Sequence, residues 1–186
     1  MRKDVEADDA VLARRAGRGD REAFGILVER HSAAARRLAR TVLPEPADAD
    51  EAAQDGFLAA WRAADRYDAT RPFRPWLMQI VLNAARDFGR RQRTRHTEPL
   101  EPELVAGGVS PERETDRSLL RARLTEALAQ LPERQRIAVT MFDAEGYAHA
   151  EIAALLGVPE GTVRSDVFHA RRALRDALAP FRGVSG

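Results

Sequence analysis

No cysteine occurs among the 186 residues of this sequence. Disulfide bonds, thiol redox chemistry and cysteine-based zinc sites are therefore excluded. The four histidines, at positions 31, 96, 149 and 169, are scattered and lack the spacing of metal ligands. A glycine-rich phosphate loop is also missing, and no other catalytic constellation stands out. We therefore predict a protein that is not an enzyme and that uses no cofactor.

An excess of one charge and a long apolar run are missing too. The formal net charge is only +1, so any binding of nucleic acid must come from local clusters of arginine. Lys3 is the only lysine, and arginine favours bidentate contacts with phosphate and guanine. A GC-rich genome would enrich arginine as well. Because no membrane span or signal-peptide core is visible, we expect a cytoplasmic protein without membrane insertion.

Helical periodicity runs through most of the chain, whereas the alternation typical of β-strands is absent. Between residues 96 and 116 the helical pattern gives way to prolines, glycines and scattered acids, which indicates a flexible linker. We therefore predict an all-α fold with two small helical domains, at residues 1–95 and 117–186, joined by the flexible linker at 96–116.

Four helices are predicted in the first domain, at about 10–16, 21–43, 48–67 and 76–93. Asp20 is a good N-cap for the second helix, and Asp48 or Asp50 for the third. The stripe expected to be buried on the third helix consists of Phe57, Leu58, Trp61 and Ala64. In the second domain, a first helix is marked by Leu120, Leu124, Leu128 and Leu131.

Residues 146–178 show the pattern of two helices joined by a short turn. Gly157 is placed to end the first helix with positive φ, and Pro159 suits the start of the second. The outer face of the second helix carries Arg164, Ser165, Phe168, His169, Arg171 and Arg172. A tight helical pair with a polar and basic outer face is typical of a helix-turn-helix that binds DNA. A plain helical hairpin with a solvated charged face is the alternative.

The segment GVPEGTVRS followed by HARRAL resembles the last conserved region of the extracytoplasmic-function sigma factors, which initiate transcription in bacteria. The segments GDREAFGILVERH, DADEAAQDGFLAAWRAADRYD and RPFRPWLMQIVLNAARDFGRRQR resemble the first conserved region of that family, in its order and spacing. The resemblance implies a factor that binds core RNA polymerase, recognises promoter DNA in two parts and assists melting of the downstream part. Because such factors are commonly held by an anti-sigma factor, it also implies that partner.

The resemblance further assigns roles to three groups of residues. The core-polymerase group, on the third helix, would dock on the clamp coiled coil of the polymerase: Asp48, Asp50, Glu51, Gln54, Asp55, Phe57 and Trp61. The minus-ten group, on the fourth helix, would contact the downstream element, with the amide near a flipped base and the arginines on phosphates: Trp76, Asn83, Arg86, Asp87, Arg90, Arg91 and Arg93. The minus-thirty-five group would enter the major groove of the upstream element: Thr162, Arg164, Ser165, Asp166, Phe168, His169, Arg171 and Arg172.

Several residues depart from the family pattern. Ala148 replaces a Ser or Thr cap, which weakens the first helix of the pair by about 1 kcal/mol. Ala52 and Ala53 replace larger aliphatic residues, which questions the strength of polymerase binding. Asp166 stands where the family often has Arg or Lys, and a carboxylate is repelled by phosphates unless it accepts a hydrogen bond from cytosine. We therefore expect Asp166→Arg to strengthen binding to the upstream element.

Two other classes of protein stay open at this point. One is a sigma-factor paralogue whose reader of the upstream element is impaired, as Asp166 suggests. The other is a stand-alone helix-turn-helix regulator that binds an operator as a dimer, although the sequence offers no obvious dimer face or sensor pocket. Binding to core polymerase separates that regulator from a sigma factor.

Overall fold

A computed structural model describes residues 7–96 and 116–179, and every regular element within those ranges is a helix. Eight α-helices occur there: α1 (Asp9–Ala16), α2 (Arg21–Arg40), α3 (Pro46–Ala63), α4 (Phe73–His96), α5 (Asp116–Ala129), α6 (Glu133–Val139), α7 (His149–Leu156) and α8 (Glu160–Ala177). A short 3₁₀ helix follows α3, and a π-helical turn, Thr140–Ala144, follows α6. The all-α prediction is confirmed. Nearly all of the predicted linker lies outside the described residues.

The first two helices begin close to the predicted positions, whereas α3 begins at Pro46 and α4 at Phe73, three residues before the predicted Trp76. The Asp20 carboxylate accepts a hydrogen bond of 3.0 Å from the Ala23 amide and caps α2, as predicted. The prediction that Asp48 or Asp50 caps α3 is wrong. That helix begins earlier, at Pro46, and no side chain caps it. Proline suits a first helical turn because its φ is already fixed and the missing N–H is not needed there.

The buried face of α3 is built from small residues. Leu58, which we expected to be buried, is 53% exposed. The buried positions are instead Ala49, Ala52, Ala53, Gly56 and Ala60. A Cβ atom on Gly56 would lie 2.9 Å from the Cα of Val81, so α3 and α4 approach each other at backbone distance. Of the predicted stripe, Ala64 is buried, Phe57 and Trp61 are half-buried and Leu58 is exposed, because this close approach turns the small residues toward α4.

The predicted helix–turn–helix forms in the second half. Gly157 ends α7 with φ of 66°, the left-handed conformation that the sequence predicted. Ala148 offers no capping oxygen, but the Glu151 carboxylate accepts a 2.9 Å hydrogen bond from the Ala148 amide and satisfies one free donor. The helix that Leu120, Leu124 and Leu128 mark in the sequence forms as α5, and Leu120 and Leu124 lie on its exposed part.

The two halves of the described chain pack against each other. Their apolar side chains form one continuous cluster, in which Met78 of α4 and Tyr147 before α7 are both buried. The guanidinium of Arg74 lies 4.0 Å from the centre of the Tyr147 ring, a cation–π contact. Arg136 donates a 2.6 Å hydrogen bond from Nε to the carbonyl oxygen of Thr41. The contact between the halves therefore combines apolar burial with directional polar bonds.

Candidate nucleic-acid interface

Helix α8 presents one apolar face to the core and one polar face to solvent. Val163, Val167 and Ala170 are buried against α6 and α7. On the other side Phe168 is 63% exposed, an unusual position for a large aromatic side chain. Most of the minus-thirty-five group is exposed with it: Arg164, Ser165, His169, Arg171 and Arg172. Thr162 is half-buried at the start of the helix.

A shallow basic groove runs along one flank of α8. Its walls include Phe142, His149, Arg164, Phe168, Arg171, Arg172 and Arg175. The guanidinium of Arg171 lies 5.0 Å from the centre of the Phe142 ring and is also hydrogen-bonded to the carboxylate of Asp143. That hydrogen bond raises the pKa of the Arg171 guanidinium, which stays charged.

Three residues of this groove were missed in the sequence. Arg175 could have been found, because it follows Arg171 by four positions and so shares its face. Phe142 and His149 precede α8 by many residues and stack on each other with ring centres 4.3 Å apart. No periodic signal of α8 could have included them, because only packing brings them to this groove.

Asp166 does not lie on the exposed face with its neighbours in the sequence. Its side chain is buried at 4% exposure, and its two oxygens accept hydrogen bonds of 2.6 and 3.3 Å from Nε and Nη2 of Arg134. The hydrogen bond to Asp166 raises the pKa of Arg134. The carboxylate that we expected beside phosphates is therefore turned into the protein, which removes the basis for expecting Asp166→Arg to strengthen DNA binding.

The minus-ten group lies on α4, and most of it is accessible. Asn83 is exposed, as are Arg91 and Arg93 near the end of the helix. Asp87 and Arg90, both exposed, form an ion pair one turn apart. Arg86 differs, because its Nε and Nη2 donate hydrogen bonds of 2.9 and 2.8 Å to Glu133 in the second half of the chain. Arg86 thus links the minus-ten group to the second half of the chain.

Trp76 belongs to an aromatic cluster at the start of α4. Its ring centre lies 5.0 Å from that of Tyr67 and 5.5 Å from that of Phe73. Tyr67 and Phe73 are buried, whereas Trp76 is half-buried. Packing of this kind favours a supporting role for the indole and leaves only part of it available to a ligand.

The core-polymerase group lies on α3, and several of its members are linked to basic or amide side chains. Asp48 accepts a 2.8 Å hydrogen bond from Gln92, and Asp55 lies 3.5 Å from Arg91. Both partners are on α4, so the core-polymerase group and the minus-ten group share one continuous surface. Asp50 is 3.7 Å from Arg40 of α2.

The other members of the group differ in exposure. Glu51 and Gln54 are exposed and point away from the core. Phe57 is half-buried, and Trp61 packs with its ring centre 5.1 Å from that of Phe24. The two aromatic side chains therefore hold α3 in place more than they offer contact area.

Other kinds of site find no support in the described ranges. Residues 7–96 and 116–179 hold no group of three or more histidine, aspartate or glutamate side chains placed to bind a metal ion. No helix within those ranges has both the length and the apolar character needed to cross a membrane.

Comparison with known families and structures agrees with this geometry. The family models "Sigma-70 region 2" and "Sigma-70, region 4" match residues 27–95 and 121–174. Among solved structures, CnrH in complex with the cytosolic domain of CnrY superposes with a TM-score of 0.70 at 33% identity, over 92% of this chain and 97% of that one. The sigma factor RpoE of Bartonella quintana, in complex with the anti-sigma factor NepR, gives 0.64 at 25% identity, over 84% and 96% of the two chains.

Curated relatives cover nearly the whole length. The RNA polymerase sigma factor NccH of Alcaligenes xylosoxydans xylosoxydans is 38% identical over 175 residues, which are 91% of this chain and 94% of the relative. The ECF RNA polymerase sigma-E factor of Escherichia coli (strain K12) is 32% identical over 182 residues, with 92% and 95% covered. The chain therefore belongs to the extracytoplasmic-function (ECF) sigma factors of the sigma-70 family, which act in the initiation of transcription by bacterial RNA polymerase.

Proposed function

We propose that this sigma factor directs RNA polymerase to a promoter of two separate elements and helps to melt the downstream one. The observation that carries the proposal is the presence of two exposed basic surfaces on different halves of the chain, one on α4 and one on α8. Neither surface belongs to an enclosed pocket, so both suit an extended polyanion better than a small ligand.

The upstream element is assigned to α8. A helix of this size fits the major groove of B-DNA, where arginine pairs with guanine and an apolar side chain can contact the methyl group of thymine. Arg164 and Phe168, one turn apart on the exposed face, supply those two kinds of contact. We assign Arg172 and Arg175 to phosphates, since such contacts fix position but carry no sequence information.

The downstream element is assigned to α4. Moving a base out of the DNA stack costs a few kcal/mol of free energy, so the protein must bind that base and also hold the freed strand. The exposed amide of Asn83 can both donate to and accept from a base edge. Arg90, Arg91 and Arg93 follow it along the helix and would hold phosphates, while Trp76 supports the start of the helix from its aromatic cluster.

Docking on core polymerase is assigned to α3. Glu51, Gln54, Asp55 and Leu58 recur at steps of three and four residues, so they share one outer face. An exposed leucine within a polar and acidic rim has the composition of a small protein interface, with an apolar centre and charged edges. We propose Leu58 as the apolar contact at the centre of this surface, although we had expected it to be buried.

The two halves must separate for both elements to be reached. Positions minus ten and minus thirty-five are about 25 base pairs apart, or about 85 Å along B-DNA. The twenty chain steps from His96 to Asp116 span at most about 70 Å. That reach is adequate when the dimensions of two separated helical bodies are added, whereas a compact chain of 186 residues has a radius of gyration of only about 16 Å. By analogy with RpoE and NepR, we propose that an anti-sigma factor holds this chain until transcription is needed.

In vitro transcription with bacterial core RNA polymerase tests the proposal, with transcript starts mapped on genomic DNA. We expect transcripts only when the chain is present, from starts that share two upstream sequence blocks. Leu58→Glu should abolish co-purification with core polymerase, whereas Phe168→Ala should keep co-purification and reduce transcription about tenfold, the discrimination of one good base contact. A chain that binds DNA specifically but never core polymerase would instead be a stand-alone regulator.

A further inference from the structure

We propose that Arg134 contacts a phosphate of the upstream promoter element and that Asp166 is the positioning residue that holds its guanidinium there. The inference rests on the proposed binding of α8 in the major groove, and it assigns a residue that lies outside the recognition helix. It also gives a reason for a carboxylate at position 166 of a DNA-binding helix.

The position of Asp166 on α8 supports this assignment. Side chains of an α-helix turn by about 100° per residue, which places Asp166 next to Thr162, His169 and Ala170. Arg164 and Arg171 then fall on the opposite flank, where they line the basic groove. Because Arg134 is bonded to Asp166, its guanidinium lies on the flank that the groove does not occupy.

A helix in the major groove meets phosphates on both sides. The groove is about 12 Å wide and is bounded by the two sugar–phosphate strands. Arg164 and Arg171 lie on one flank of α8. The flank that holds Asp166 carries no arginine of its own. Arg134, supplied by the first turn of α6, fills that gap.

The geometry of the pair leaves Arg134 able to bind a second anion. Its side chain is 53% exposed, although its partner carboxylate is buried. A guanidinium has five N–H donors, and the two hydrogen bonds to Asp166 use two of them. Three donors are left for a second partner, and the planar fork of a guanidinium matches the geometry of phosphate. Because Asp166 offsets the positive charge of Arg134, we expect Arg134 to contribute to DNA binding mainly through a directed hydrogen bond and less through long-range attraction.

The same geometry predicts the opposite of our first expectation for Asp166→Arg. That substitution would place two guanidinium groups against each other where one carboxylate is now buried. The repulsion would displace Arg134 and weaken binding to the upstream element.

A neutral double variant tests the role of Arg134 without changing net charge. Arg134→Gln/Asp166→Asn removes both charges but keeps polar side chains of similar size. The control is Arg123→Gln/Glu126→Gln, which removes an exposed pair on α5. Each holoenzyme is titrated in a salt series with the promoter fragment found by the transcription experiment. In the test variant only, we expect affinity at 0.1 M salt to fall by up to about eightfold and the slope of log affinity against log salt to fall by up to about 0.9, the values for one full positive charge that no carboxylate offsets.

A second measurement separates contact from structural support. Single phosphates on both strands of the upstream element are replaced by neutral methylphosphonates. In the wild-type holoenzyme, one replacement at the edge of the DNA major groove should weaken binding. The double variant should be insensitive to that same replacement. If the double variant loses its fold, Arg134→Lys, which keeps a charge near Asp166 but lacks the planar fork, should show a reduced penalty at that phosphate.

The results distinguish this inference from the proposed function. If the wild type binds the promoter and the double variant matches the control in affinity, slope and phosphate sensitivity, the ion pair is only structural and the inference is overturned. If the wild-type holoenzyme shows no specific binding to the upstream element, the proposed function itself fails and the inference fails with it.

Discussion

Replacing Glu145 with glutamine should weaken the contact between the two halves of this sigma factor. The Glu145 side chain is 7% exposed, and its carboxylate accepts hydrogen bonds from both Nε and Nη2 of Arg37 on α2. Its backbone carbonyl accepts a third, of 3.3 Å, from Arg74, which the substitution leaves in place. Glutamine has nearly the same shape but provides one neutral acceptor in place of a charged, bidentate one.

The size of the effect follows from burial on each side of the pair. A hydrogen bond to a charged group contributes about 1.5–3 kcal/mol. The side chain of Arg37 is 48% exposed, so screening by water lowers the loss to about 1–1.4 kcal/mol. Because 1.4 kcal/mol is a factor of ten, the population with separated halves should rise about five- to tenfold.

The absence of cysteine makes this measurable with two specific labels. One cysteine is introduced on each half at an exposed position, Arg62 and Ala154, and the distance distribution is read by single-molecule energy transfer. The control is Glu126→Gln, which breaks an exposed ion pair within α5. If core polymerase binds only chains whose halves are separated, its apparent affinity for the Glu145→Gln variant should also rise about five- to tenfold. A distance distribution equal to that of the wild type would refute the reasoning.

Two further predictions concern the first half of the chain, and both are read from denaturant unfolding. Gly56→Ala should destabilise it by about 1–3 kcal/mol, because the added methyl meets the backbone of α4. Gly25→Ala, with open space around it, should stabilise it by up to about 1 kcal/mol, and equal effects would contradict the close approach. Burial alone would raise the pKa of Asp9, but hydrogen bonds from His31 and Arg30 lower it below 3.8. The ionised Asp9 carboxylate therefore stabilises the fold above pH 3.8, and this stabilisation is lost as the pH falls further. Asp9→Asn should be less stable than the wild type at pH 7 and equally stable in strong acid. A difference that did not change with pH would count against this pairing.

Local signals in the sequence were sufficient for the helices that they mark. Asp20 caps α2 and Gly157 ends α7, because a capping oxygen and a positive φ act within a few residues. The helix–turn–helix and the exposed basic face of α8 followed from periodicity in the same way. The α3 stripe could not be predicted, because the exposure of Leu58 depends on how closely α4 approaches Gly56.

The sequence by itself determined an all-α chain, the positions of most helices and the resemblance to ECF sigma factors, since these depend on interactions between near neighbours and on recognisable motifs. Only the tertiary structure decided that Asp166 is buried against Arg134, 32 residues away, and that Glu145 binds Arg37, 108 residues away. The physical reason is that a charged side chain is buried or exposed according to the partner that packing brings to it, and that partner leaves no periodic trace in the sequence.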